Sequence, residues 1–86
     1  MIMLSSCIKN ETSFPGLIRF TGNVALDGCG WVIDVENETF HPNNLSTEFQ
    51  IDSLKVKLSY KLTSENFNCG FGNSFKTIQI SSIAQQ

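Results

Sequence analysis

Leu54-Lys55-Val56-Lys57-Leu58-Ser59-Tyr60-Lys61-Leu62-Thr63 alternates apolar and polar side chains without a miss, and this stretch decides the fold class. Successive side chains of an extended strand point to opposite faces, so such a run offers one face to a core and the other to water. Outward from it, the same period of two recurs. Trp31, Ile33 and Val35 alternate with Val32, Asp34 and Glu36, and before them Ile18, Phe20, Gly22 and Val24 alternate with Arg19, Thr21 and Asn23. Thr39-Phe40-His41 makes a short strand, joined tightly to the preceding one by Asn37-Glu38 and ended by Pro42, which has no N–H for a ladder. After a polar, Gly- and Asn-rich loop over Ser64 to Ser74, strand composition returns from Phe75 to Ile83 through Ile78, Ile80 and Ile83.

Between the third and fourth strands the alternation breaks over Pro42 to Asp52. Thr47, three residues ahead of Gln50, is a capping-box signal that predicts one or two helical turns. Three strands, a short helix and two more strands are the element order of an OB-fold. The expected fold is therefore all-β, a five-stranded OB-like Greek-key β-barrel with a short helix between strands three and four. A small five-stranded barrel of SH3-like type is the alternative.

Length and composition agree with one small core. The chain has 86 residues, 41% of them hydrophobic and 16% charged, with a net charge of −2. That composition excludes a long disordered chain and a basic nucleic-acid arm, and six Lys and Arg residues leave little to grip a polyphosphate. No run approaches the roughly 18 apolar residues of a membrane-spanning helix. Residues 17–86 read as the barrel domain and residues 1–16 as a start and flexible tether, closed by Pro15-Gly16.

The three cysteines divide into a pair and a single. Gly28-Cys29-Gly30-Trp31 and Cys69-Gly70-Phe71-Gly72 are closely similar settings, and flanking glycines allow close backbone approach, so Cys29 and Cys69 are the expected disulfide partners. Two buried free thiols of a reduced compartment are the other reading. No C-x-x-C pair offers ligand spacing for zinc, and neither a metal nor any other cofactor is expected.

No catalytic constellation emerges. His41 is the one imidazole and reads as a strand-end residue, the carboxylates are dispersed, and no Ser or Cys has a nucleophile's setting, so an enzyme is not expected. Lys55, Lys57 and Lys61 read as the solvated side of the fourth strand. Phe20, Trp31 and Tyr60 fall on the apolar phase of their strands and read as core. Phe67 and Phe71 lie in the predicted loop on either side of Cys69, where no packing pattern asks for two rings. With Trp31 beside Cys29, they form the candidate binding surface. The Asn-x-Ser/Thr triplets at Asn10, Asn37 and Asn44 read as chance in an Asn- and Ser-rich chain.

Leu4-Ser5-Ser6-Cys7 resembles the lipobox of bacterial lipoproteins, in which the cysteine is lipidated and becomes the N-terminus. Only Met1, Ile2 and Met3 precede it, so either the export signal lies upstream of Met1 or the four-residue match is accidental. The segments Gly28-Cys29-Gly30-Trp31-Val32-Ile33, Phe40-His41-Pro42-Asn43-Asn44-Leu45, Leu54-Lys55-Val56 and Asn68-Cys69-Gly70-Phe71-Gly72 resemble a family of small bacterial envelope lipoproteins with a single OB-like barrel and no assigned activity. The resemblance implies a cell-envelope location, periplasmic or outer-surface, with membrane attachment only through a lipid on Cys7. The expectation is a monomeric binding or adaptor domain whose partner is an envelope component and not nucleic acid. A cytosolic OB-type domain that binds nucleic acid through the lysine row is the second hypothesis.

Overall fold

The run that opens at Leu54 forms the longest strand of the molecule, and it extends well past its alternation. The computed structural model describes residues 12–23, 28–69 and 73–86. Its five strands are β1 (Phe14–Phe20), β2 (Trp31–Val35), β3 (Glu38–Pro42), β4 (Leu54–Cys69) and β5 (Asn73–Gln85). They close into one barrel in the order β1-β2-β3-β5-β4. Every neighbouring pair is antiparallel except β3 and β5, which run parallel.

The inward phase of each strand supplies the core. Ile18, Ile33, Val35, Phe40, Val56, Leu58, Ile78 and Ile80 form one buried cluster, and burial of each such side chain is worth roughly 1.5–3 kcal/mol. Tyr60 adds its ring, tilted against Phe14 at 5.6 Å and Phe40 at 5.4 Å. The β2–β3 hairpin turns on Glu36 and Asn37, whose φ values of 49° and 69° are those of a type I′ turn, with Val35 opposite Glu38. The turn thus sits one residue earlier than Asn37-Glu38.

Several expectations need correction. β1 begins at Phe14, and Phe14, Pro15 and Gly16 face Leu58, Lys57 and Val56 of β4, so these three residues belong to the barrel and not to a tether. Gly16 is there for space, since a Cβ would stand 2.9 Å from Leu58 Cδ2 and 3.1 Å from Ile33 Cγ2. Phe20, read as core, is 46% exposed at the end of β1, where Trp31 is its ring neighbour at 4.9 Å. Leu62 is 54% exposed, because β1 pairs with β4 only from Leu54 to Leu58 and β4 has left its cover by that point. In place of one or two helical turns, Thr47–Phe49 makes a single 3-10 turn with no side-chain cap. The Gln50 amide, instead of closing a capping box, donates to the Leu45 carbonyl at 3.1 Å.

The largest departure is the stretch read as the Ser64 to Ser74 loop. Asn66 to Cys69 pairs with Lys76 to Asn73, after register shifts between Ser59 and Tyr60 and between Leu62 and Asn66. Bulges of this kind bend a ribbon and re-aim it. Val32, although on the outward phase of β2, is fully buried. On the outer face of the β2–β3 hairpin the Phe67 ring of this two-stranded arm lies flat on the His41 ring at 3.7 Å.

Candidate functional site

Two glycines let the β1–β2 connection come close enough to hold a cysteine at the foot of the arm. Thr21 donates its backbone N–H to the Gly30 carbonyl at 2.8 Å, and the Gly30 N–H returns to Gly22 at 2.9 Å, so the β1–β2 ladder continues past the end of both strands. A Cβ on Gly28 would lie 2.3 Å from the Gly22 backbone, a distance only glycine avoids. The Thr21 hydroxyl accepts the Cys29 N–H at 3.2 Å and donates to the Gly30 carbonyl at 2.8 Å. Cys29 is buried and bonded to Cys69, with Cα atoms 5.2 Å apart. The bridge ties the β1–β2 connection to the tip of β4.

On the other side, the chain leaving β3 is strapped to β5. The Asn43 N–H donates to the Ile78 carbonyl at 3.0 Å. The Asn44 side chain then stands in for a strand: its Nδ2 donates to the Ile80 carbonyl and its Oδ1 accepts the Ile80 N–H, both at 2.9 Å. This carries the parallel β3–β5 ladder beyond Pro42.

Between these two fixed edges lies an open groove of about 500 Å³, lined by residues 29–31, 41–45, Gln50 and Phe67. Trp31 and Phe67, both half-buried, line it, and Trp31 also packs against the core cluster. Trp31 is braced on one side by Phe20, and Phe67 by His41. The Asn43 and Gln50 side chains are exposed at its rim. Among the described residues the lining holds no Lys, Arg, Asp or Glu. His41 adds no charge at neutral pH, because burial holds its imidazole below the ordinary value, opposed only by a hydrogen bond with the Trp31 backbone. Its Nδ1 is buried and without a hydrogen-bond partner. Among the described residues no three His, Cys, Asp or Glu side chains gather as a metal site would require.

Elsewhere on the surface, Arg19 of β1 meets Asp34 of β2 in a two-pronged pair, Nη2 to Oδ1 at 3.0 Å, and the Thr39 hydroxyl donates to the same carboxylate at 2.7 Å. The Arg19 guanidinium holds the Asp34 carboxyl below its usual range. Both partners are substantially exposed, so the pair adds little to stability. Lys55, Lys57 and Lys61 are exposed on β4, away from the groove.

Of the predicted site residues, the structure brings together Cys29, Cys69, Trp31 and Phe67. Phe67 reaches the groove from a strand and not from a loop. Phe71 and Cys7 lie outside the described residues. Sequence reasoning missed Asn43, Asn44 and Gln50, and the available signal was the polar break directly after Pro42. No protein-family model, curated protein or solved structure matches this chain.

Proposed function

We propose that this chain is a non-catalytic binding module, an OB-like barrel of the cell envelope that takes its partner in the groove beside the Cys29–Cys69 bridge. The strand order, with β3 and β5 parallel and the connection between β3 and β4 crossing one end, supports the OB-like reading. In that fold the loops between strands one and two and between strands four and five flank the ligand face, and here the groove is lined by the end of the β1–β2 connection and by Phe67 near the tip of β4. The observation that carries the proposal is the open groove itself, one wall of which, the β1–β2 connection, is tied by the Cys29–Cys69 bridge to the arm that bears Phe67, while the other is strapped to β5 by Asn43 and Asn44. A preformed surface spares the ordering cost of binding.

The disulfide also favours an oxidising compartment, in keeping with the lipobox-like Leu4-Ser5-Ser6-Cys7 and with the likeness to small envelope lipoproteins. Cys7 would then carry the lipid, and residues between it and Phe14 would hold the barrel off the membrane as a monomer. The nucleic-acid alternative finds no cation among the described residues of the groove, and backbone phosphates need Lys or Arg there.

The test is amide chemical-shift mapping of the isotope-labelled chain against a panel of neutral oligosaccharides, acidic polysaccharides, mixed-sequence single-stranded DNA and short peptides. The expected result is that at least one probe shifts a set centred on Gly30, Trp31, Asn43 to Leu45 and Phe67. Shifts centred on Lys55, Lys57 and Lys61, or none with any probe, would remove the groove as the binding site. Thiol trapping in cells would find Cys29 and Cys69 unreactive, and free thiols at both would sink the envelope location.

A further inference from the structure

The groove also bears on the kind of molecule it takes, and the inference rests on the binding-module reading above. We propose that its ligand is an uncharged carbohydrate, bound with one sugar ring against Trp31 and its hydroxyls on the Asn43 and Gln50 side chains.

Three observations converge on this class. First, the groove combines flat apolar surface with side chains that both donate and accept. A carboxamide offers a carbonyl oxygen and an NH2 group, which matches a sugar hydroxyl that likewise does both. Gln50 commits its Nε2 to the Leu45 carbonyl, which leaves Oε1 to accept from a ligand and holds the side chain in place for it. Second, the described residues of the lining include no Lys, Arg, Asp or Glu, and a neutral polyhydroxylated ligand is the class for which that is an advantage. A phosphate or carboxylate polymer entering here would leave water with no cation to receive it. An alkyl chain would leave both rim carboxamides unused. Third, the rings are held in advance. Trp31 is tilted against Phe20 at 4.9 Å, and Phe67 is stacked on His41 and anchored two residues away by Cys69. A rigid ring presents its face to the C–H side of a sugar without first having to order itself. The groove is of the size usual for small-ligand sites, about 300–1,000 Å³, and it is open, so a polymer can pass through and be gripped along its length.

Trp31 is the only tryptophan of the chain, so its emission reports on this groove alone. The oxidised protein is titrated to millimolar sugar with cellotetraose, maltotetraose, mannotetraose and chitotetraose, at low and high salt, and in parallel with heparin and mixed-sequence single-stranded DNA. The expected result is a saturable emission change with at least one of the four neutral tetrasaccharides, unaltered by salt. Asn43→Ala and Gln50→Ala should each weaken it by about fivefold, the loss of one hydrogen bond of ordinary strength, with thermal midpoint unchanged. No response to any of the four overturns the proposal. Salt-sensitive binding of heparin or DNA at the groove, with the tetrasaccharides silent, overturns the ligand class while leaving the binding module standing. Equal binding by wild type and both variants overturns the placement.

Discussion

Replacing Cys29 and Cys69 together by serine removes a cross-link between residues 40 apart in sequence. In the chain-entropy relation a closed loop of that length restricts the unfolded chain by about 13 cal/mol/K, which is about 4 kcal/mol at 25 °C. At roughly 0.05–0.15 kcal/mol per residue, a chain of 86 residues has a total stability of roughly 4–13 kcal/mol, so the bond supplies a third of it or more. For a domain of this size each kcal/mol moves the thermal midpoint by about 4–8 °C, and the expected drop is roughly 15–30 °C. The structure locates a second effect. Among the described residues Asn66 to Cys69 pair with β5 alone, so an untied arm loses Phe67 from His41 before the barrel itself opens. Urea unfolding followed by Trp31 fluorescence, in a Cys7→Ser background that prevents thiol exchange, measures the global loss. Reduction of the otherwise unaltered chain is the companion measurement, because it places no serine hydroxyl at the buried Cys29 position. A loss below about 1 kcal/mol in both, at unchanged denaturant slope, would refute the reasoning and make the bridge a local clip on the arm.

His41 is held neutral by burial, so its stabilising contribution is full above the ordinary imidazole value near 6.5 and is lost as pH falls through that value toward its lower folded one. Asp34, whose folded value is also lowered, acts only below the ordinary carboxylate range. A decline in thermal midpoint between pH 7.5 and 5.5 that His41→Gln abolishes is therefore expected, and an identical slope in both proteins would exclude His41 as its source. Asn44→Ala orphans both backbone groups of Ile80 and should cost about 2–4 kcal/mol by chemical denaturation, whereas the neighbouring Asn43→Ala should cost under about 0.5 kcal/mol. Gly28→Ala places a methyl against the Gly22 backbone; it should slow formation of the Cys29–Cys69 bond on oxidative refolding, and a normal rate would show that the connection yields freely.

The barrel was legible where one face meets the core and the other meets water. Ile33, Val35, Val56 and Leu58 are buried as their period predicts, and the two glycine-flanked cysteines are bonded. The arm was not legible. Ser64, Glu65 and Asn66 are all exposed, and Ser64 and Glu65 fall in the register irregularity, so no alternation records their place in the strand. Phe67 consequently read as a loop ring when it is the lid over His41. Val32 reads as outward from β2 alone, yet it is fully buried. The groove's polar rim was hidden for a related reason: Asn43, Asn44 and Gln50 look like generic turn residues until the strap to β5 fixes what each one faces.

The parallel pairing of β3 with β5 also governs the order in which the molecule can assemble. During synthesis β1 to β4 emerge while β3 still has one open edge, and nothing local can satisfy it, since its partner β5 follows β4 in the chain. An exposed strand edge is a template for the wrong neighbour, and a contact so distant in sequence is slow to form. Cys29 and Cys69, however, both precede β5 in the chain. Oxidation can therefore lock the arm's first strand across the hairpin before closure, shortening the search that remains and shielding the open edge meanwhile. Refolding should accordingly be faster from the oxidised chain than from the reduced one, with less aggregate. Equal rates would place bond formation after the barrel has shut.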